Sequence, residues 1–167
     1  GKNKEIGFLY DDNVSSFSGV YYDNKVTDLL ATANPCPVQQ STHKYGCAYN
    51  INKASLSGWT FAASTKLDQL RLRASVDLQD PKDDLTGNRL PRRAKQHATL
   101  GADYRWNQWS FGIENVLSGE RFDDQANKNR LGGYGLLNLV SSYQIAKNWS
   151  VLARWNNIAD KKYELAR

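Results

Sequence analysis

The chain has no methionine, two cysteines and four prolines in its 167 residues. No apolar run reaches the roughly 18 residues a transmembrane helix needs, and the mean hydropathy is −0.66, so a helical span is excluded. The net charge is +5, yet no Lys/Arg block is longer than two residues. Dispersed charge of this kind makes no footprint for a polyanion, and nucleic acid is not an expected partner. Two cysteines are too few for a disulfide-built fold. With His43 as the one added ligand they do not complete a zinc site, and no metal or cofactor is expected. The sequence has no initiator Met and no leader, and it is expected to be an excised or processed piece of a longer product.

Aromatic residues are what the chain does have: five Trp, nine Tyr and five Phe. They accompany a strict period of two. Leu70, Leu72, Ala74, Val76 and Leu78 alternate with Arg71, Arg73, Ser75, Asp77 and Gln79. This is a strand lying between two unlike environments. The pattern returns in Arg93–Trp106 and in Trp149–Asn156. About eight such segments lie near 2–10, 14–30, 47–66, 70–80, 93–106, 109–121, 132–145 and 149–158. Their connections alternate in length. Short turns fall at Asp11–Asn13, Leu67–Gln69, Asn107–Gln108 and Ala146–Asn148, and long polar loops at about 31–46, 81–92 and 122–131.

These features predict an all-β chain, an antiparallel transmembrane β-barrel segment with short periplasmic turns and long extracellular loops. Averaging hydropathy along such strands hides them, which reconciles the low mean value with a membrane. Trp106, Trp109, Tyr143, Trp149, Tyr10 and Phe17 flank successive short turns, as an interfacial girdle would. Two alternatives remain open: a soluble sandwich, such as a carbohydrate-binding module, and a small self-contained barrel with a structural or adhesive role. Charged faces on many strands leave little for a second sheet to pack on. Cys36 and Cys47 bracket a polar loop and are expected to form a disulfide, two free thiols being the alternative.

The stretch Gly132-Gly133-Tyr134-Gly135-Leu136-Leu137-Asn138-Leu139, followed by Asn156-Asn157-Ile158-Ala159-Asp160-Lys161-Lys162-Tyr163-Glu164, resembles a hairpin near the C-terminus of TonB-dependent receptors. Leu90-Pro91-Arg92-Arg93-Ala94-Lys95-Gln96 is similar to the cobalamin-receptor branch of that family. Siderophore and heme receptors share much of this region. The resemblance implies a bacterial outer-membrane receptor that takes up a large scarce nutrient such as cobalamin. It implies contact with membrane lipid and lipopolysaccharide, and with TonB through a plug that this chain does not include. It also implies a parent barrel of about twenty-two strands, so residues 1–167 are expected to be its C-terminal part without plug or final strand.

No catalytic constellation emerges, and the chain is not expected to be an enzyme. His97 lies on a polar strand face and is read as a lumen side chain. Asp83-Asp84 and Asp123-Asp124 lack the spaced oxygens of a calcium loop. Gly132–Gly135 opens a strand and is no phosphate loop. The expected ligand contacts are Arg92 and Arg93, where a long loop enters a strand, with Tyr45, Arg130 and Tyr134 as further rim positions. Guanidinium groups there could donate to amide, phosphate or carboxylate groups, or pair with loop acids or lipopolysaccharide.

Overall fold

The computed structural model describes residues 1–33, 36 and 46–166. The strands are β1 (Lys2–Asp11), β2 (Ser15–Ala33), β3 (Cys47–Leu67), β4 (Leu70–Asp83), β5 (Gln96–Trp106), β6 (Trp109–Ser118), β7 (Arg121–Phe122), β8 (Arg130–Leu131), β9 (Tyr134–Ala146) and β10 (Trp149–Trp155). Eight of them form one antiparallel sheet in the order β1-β2-β3-β4-β5-β6-β9-β10, while β7 and β8 make a separate short pair. The sheet is open, and no second layer covers it. The soluble sandwich is thereby set aside, because its core between layers does not exist among the described residues.

The short turns follow from their residues. Asn13, Asp68 and Asn107 have φ of 69°, 54° and 53°. Tight hairpins whose twist matches the flanking strands need this left-handed conformation, and Asn and Asp tolerate it best. At the first turn the Asp12 carboxylate also accepts the backbone N–H groups of Val14 and Ser15, at 3.0 and 2.6 Å.

Register then sorts the side chains. Leu72 opposes Ala102, which opposes Ile113, which opposes Leu139. Phe111 and Val151 lie on the same face through Ser141 and Tyr143. Trp109 meets Tyr143 at 4.7 Å near the short turns, and Tyr21 meets Trp59 at 5.3 Å toward the loops. The opposite face is polar. Arg73 pairs with Asp103 at 3.3 Å and approaches Glu114 at 4.0 Å, and Arg154 reaches Glu114 at 3.6 Å. Thr60 donates to Asp77 at 2.8 Å. Gly101 leaves room for this ladder, since a Cβ there would sit 2.5 Å from Arg73 Nε.

Several boundaries differ from the sequence reading. β2 and β3 are not among them: at 19 and 21 residues they end within three residues of the expected 14–30 and 47–66, and they are about twice the 9–11 residues that span a membrane. Residues 26–33 and 47–53 therefore stand beyond the ends of β1 and β4 as a two-stranded ribbon. β4 continues through Pro81 to Asp83. Gln79 N–H donates toward β5, to Lys95 O at 2.8 Å, so the nitrogen of Pro81 points to the same side after β5 has left. No ladder bond is lost there. β5 begins at Gln96, so Arg93 belongs to the loop, and the 122–131 region contains part of the β7–β8 pair.

A small buried core sits at the loop end and not between layers. It joins Tyr49, Ile51, Ala54 and Leu90, with Leu29 and Leu56 packed against them. Ala54 and Leu56 continue the polar-face series of β3, while Ile51 and Tyr49 continue the other. The two series meet in one cluster opposite Asp28, whose φ is 59°.

Candidate ligand-binding surface

Loops 84–95 and 119–133 are bonded to each other. Arg89 N–H donates to Asn127 Oδ1 at 2.8 Å, and Asn127 Nδ2 donates back to Arg89 O at 2.9 Å. The side-chain amide thus reproduces a strand-like pair of bonds. Asn88 Nδ2 donates to Gln125 O at 3.0 Å, and Gln125 Nε2 to the buried Asp83 carboxylate at 3.2 Å. The Arg89 guanidinium lies over the Phe122 ring, 5.2 Å from its centroid. Within the second loop, Asp124 accepts the backbone N–H groups of Lys128 and Asn129 at 3.1 and 2.6 Å. Partial burial pushes the Asp124 carboxyl up, but the Asn129 and Lys128 N–H bonds outweigh it and hold it below the ordinary 3.8.

Arg92 is committed to this framework. Its N–H donates to Phe122 O at 2.6 Å, its Nε bonds Asp123 Oδ1 at 2.7 Å, and its φ is 60°. Arg93 is exposed and makes no ion pair among the described residues. Both arginines line a cleft of about 180 Å³ together with Leu29, Leu30, Ile51 and Leu90. Arg130 pairs with Glu120. Tyr134 opens β9 and stacks on Tyr163 at 4.4 Å between ring centroids. Neither lines that cleft. Tyr45 lies outside the described residues. Cys36 and Cys47 are joined by a disulfide, with 5.5 Å between their Cα atoms.

Sequence reasoning passed over Asn127 and Arg121. Arg121 is 4% exposed, with its guanidinium 5.3 Å from the centre of the Tyr134 ring and Nη2 donating to Glu164 O at 2.7 Å. It thereby fastens the segment after β10. That segment is ordered from Asn157, whose side chain exchanges bonds with the backbone of Lys161 at 2.9 and 3.1 Å. Asn157 N–H in turn reaches Asn138 Oδ1 at 2.9 Å. The Asn-x-x-Asp-Lys-x-Tyr run is thus a turn that lays the chain back along β9. A period-two search does not register it.

A one-layer antiparallel sheet, aromatic-girdled and apolar on one face, charged on the other, with short turns at one rim, is a wall of an outer-membrane β-barrel. The chain belongs to the TonB dependent receptor-like, beta-barrel family, whose sequence model matches residues 1–158. That membership places it in the bacterial outer membrane, in a family of receptor barrels. It is 28% identical over 162 residues to the vitamin B12 transporter BtuB of Photobacterium profundum, covering 97% of this chain and 26% of that protein. Among solved structures it is similar to the ferric yersiniabactin uptake receptor FyuA of Yersinia pestis, with a TM-score of 0.78 and 16% identity, over 98% of this chain and 25% of that one. The copper transporter OprC is similar at a TM-score of 0.77 and 20% identity, over 99% and 26%. The chain therefore spans about a quarter of the length of these relatives.

Proposed function

We propose that residues 1–167 form the C-terminal part of the barrel of an active-transport receptor for a corrinoid such as cobalamin, with a plug engaging TonB supplied by the rest of the protein. The observation that carries the reading is the cleft at the loop end. The exposed Leu30 and the part-buried Leu29, above the buried Ile51 and Leu90, stand beside Arg93, which makes no ion pair among the described residues, with Arg92 held next to it by Asp123. Such a surface suits a bulky ligand that offers both apolar area and amide or phosphate acceptors, as cobalamin does. The likeness to a vitamin B12 transporter supports the same choice. A second reading, a ferric siderophore, is supported by the cationic rim, which suits an anionic chelate equally well.

The test is equilibrium binding of cobalamin to the full-length receptor. Arg93→Ala weakens it by about 1–3 kcal/mol if the guanidinium donates to the ligand. Arg92→Ala costs less, because that side chain is already bonded to Asp123. Unchanged cobalamin affinity in the double variant removes both residues from the site. Tight binding of a ferric siderophore with no cobalamin binding selects the second reading.

A further inference from the structure

A polar side chain on the outward face must find its partner on the wall, because hydrocarbon offers none. Thr65 and Ser15 do so, with 2.7 Å between their hydroxyl oxygens. Asn115 does not. It lies on β6 between Leu100 of β5 and Leu137 of β9, on the face that carries Leu72, Ile113 and Leu139. Its Oδ1 is buried and accepts no hydrogen bond among the described residues. Asn115 stands six residues along β6 from Trp109 at the short-turn rim. That is roughly 20 Å along the strand, or roughly 14 Å along the membrane normal at a tilt of about 45°. In an apolar band about 25 Å tall this depth is hydrocarbon, where an unpaired amide costs free energy that an apolar residue does not. The wall beside it is hollowed. Ala63, Ala74 and Ala102, on β3, β4 and β5, border a groove of about 680 Å³ that Asn115, Leu100 and Leu137 also line.

We propose that this face is the contact between two copies of the receptor lying side by side in the membrane, with Asn115 of each at the two-fold axis. Acyl chains fill a groove but bring no donor to an amide oxygen. A second copy does. Both copies enter the membrane with the same rim outward, so the axis relating them runs along the membrane normal. A residue on that axis meets itself at its own depth. A primary amide is both donor and acceptor, so two Asn115 side chains exchange two bonds once rotation about the last side-chain bond turns each oxygen out of the wall. The hollow serves the same contact. Two convex barrel walls touch first along a line, and alanines there let the backbones approach until the flanking leucines meet. Small residues with one polar group among them are how membrane-embedded segments associate where burial of apolar surface gives no advantage over lipid. The proposal rests on the outer-membrane placement of the wall and not on the nutrient proposed above.

The test uses the full-length receptor, labelled with donor and acceptor dyes and folded into lipid vesicles, with energy transfer followed as lipid is added. Transfer in the wild type falls with dilution as a monomer–dimer equilibrium. Asn115→Leu raises the dissociation constant about fivefold, the size expected for a membrane-buried amide pair, and Asn115→Gln, which keeps the amide, restores it. Ala102→Phe, which fills the hollow, also weakens association. Asn115→Cys cross-links to its own copy on oxidation, whereas Phe8→Cys, on the same face five strands away, does not. The cross-link decides the matter if the Phe variant does not fold. Wild-type transfer no greater than random mixing gives, which would leave lipid as the occupant, overturns the proposal. So does an unaltered dissociation constant in Asn115→Leu, or equal cross-linking from the two cysteines. Association that appears only when other outer-membrane proteins are added overturns it too, and assigns the groove to a different partner.

Discussion

The wall and the loop end of this molecule are ordered by different physics. In the wall, from the short turns to Tyr21 and Trp59, each side chain's surroundings follow from its parity. Backbone ladders hold the strands together, and side chains choose between hydrocarbon and lumen, where some pair with one another, as Arg73 does with Asp103. At the loop end the ladder gives out, and side chains bond to backbone instead: Asn127 to Arg89, Asp124 to Lys128 and Asn129, Arg121 to Glu164. The wall therefore tolerates many residues so long as parity is kept. The loop end depends on a few particular residues whatever their parity.

The largest effect expected from this contrast is a parity violation in the wall. Leu100→Arg or Leu139→Arg, on the outward face, costs about 2–4 kcal/mol near the midplane. Arginine at Thr99, one residue away on the polar face, costs far less. Urea titration of the receptor folded into lipid vesicles measures both. Equal costs would mean that the two faces share one environment.

Next comes the disulfide at the foot of β3. Cys36 and Cys47 are separated by 11 positions, and loop closure of that size contributes roughly 2–3 kcal/mol. Reduction should raise hydrogen exchange in residues 26–33 and 47–53 while leaving β4, β5 and β6 protected. Spread of the effect into those strands would show that the ribbon and the wall are not independent.

Asn127→Ala removes both halves of its exchange with Arg89 and should destabilise the loop pair by about 1–2 kcal/mol. Amides of loops 84–95 and 119–133 should lose protection together, because each loop is the other's template. Loss in one loop alone would contradict the coupling. The smallest effect is acidic. Asp124 has its carboxyl held below 3.8 in the folded loop, so its contribution is present above that value and is lost as pH falls through the lower folded pKa. Amide exchange in 123–130, followed at acid pH, should rise before that of the wall, and Asp124→Asn should abolish the difference.

The same contrast explains what could be read from residues alone. The faces of Leu72, Val76, Arg73 and Asp77 were legible because alternation is what a two-faced wall imposes. The turns at Asp68 and Asn107 were legible because a left-handed φ selects those residue types. The length of β2 and β3 was legible as well, since the expected segments 14–30 and 47–66 end within three residues of Ser15–Ala33 and Cys47–Leu67. What was not legible is that beyond Lys25 the pair continues alone as a ribbon, because its own residues do not report where β1 and β4 end. Asp28, where the two faces meet in one core, has no local signature. Arg92 and Arg93 were singled out as one pair, yet they differ in structure. The difference lies in Asp123, 31 positions further along the chain, and no short-range pattern reports that distance.

The two-faced wall is tested most directly by spin labels placed singly at Leu72, Val76, Leu100, Phe111, Leu139 and Val151, and at Arg73, Asp77, Thr99 and Arg154, in the receptor folded in lipid vesicles. The first six labels should relax with lipid-soluble oxygen and be shielded from a water-soluble nickel chelate. The other four should show no preference for oxygen. Indistinguishable responses from the two sets would contradict the register and, with it, the reading of this sheet as a membrane wall.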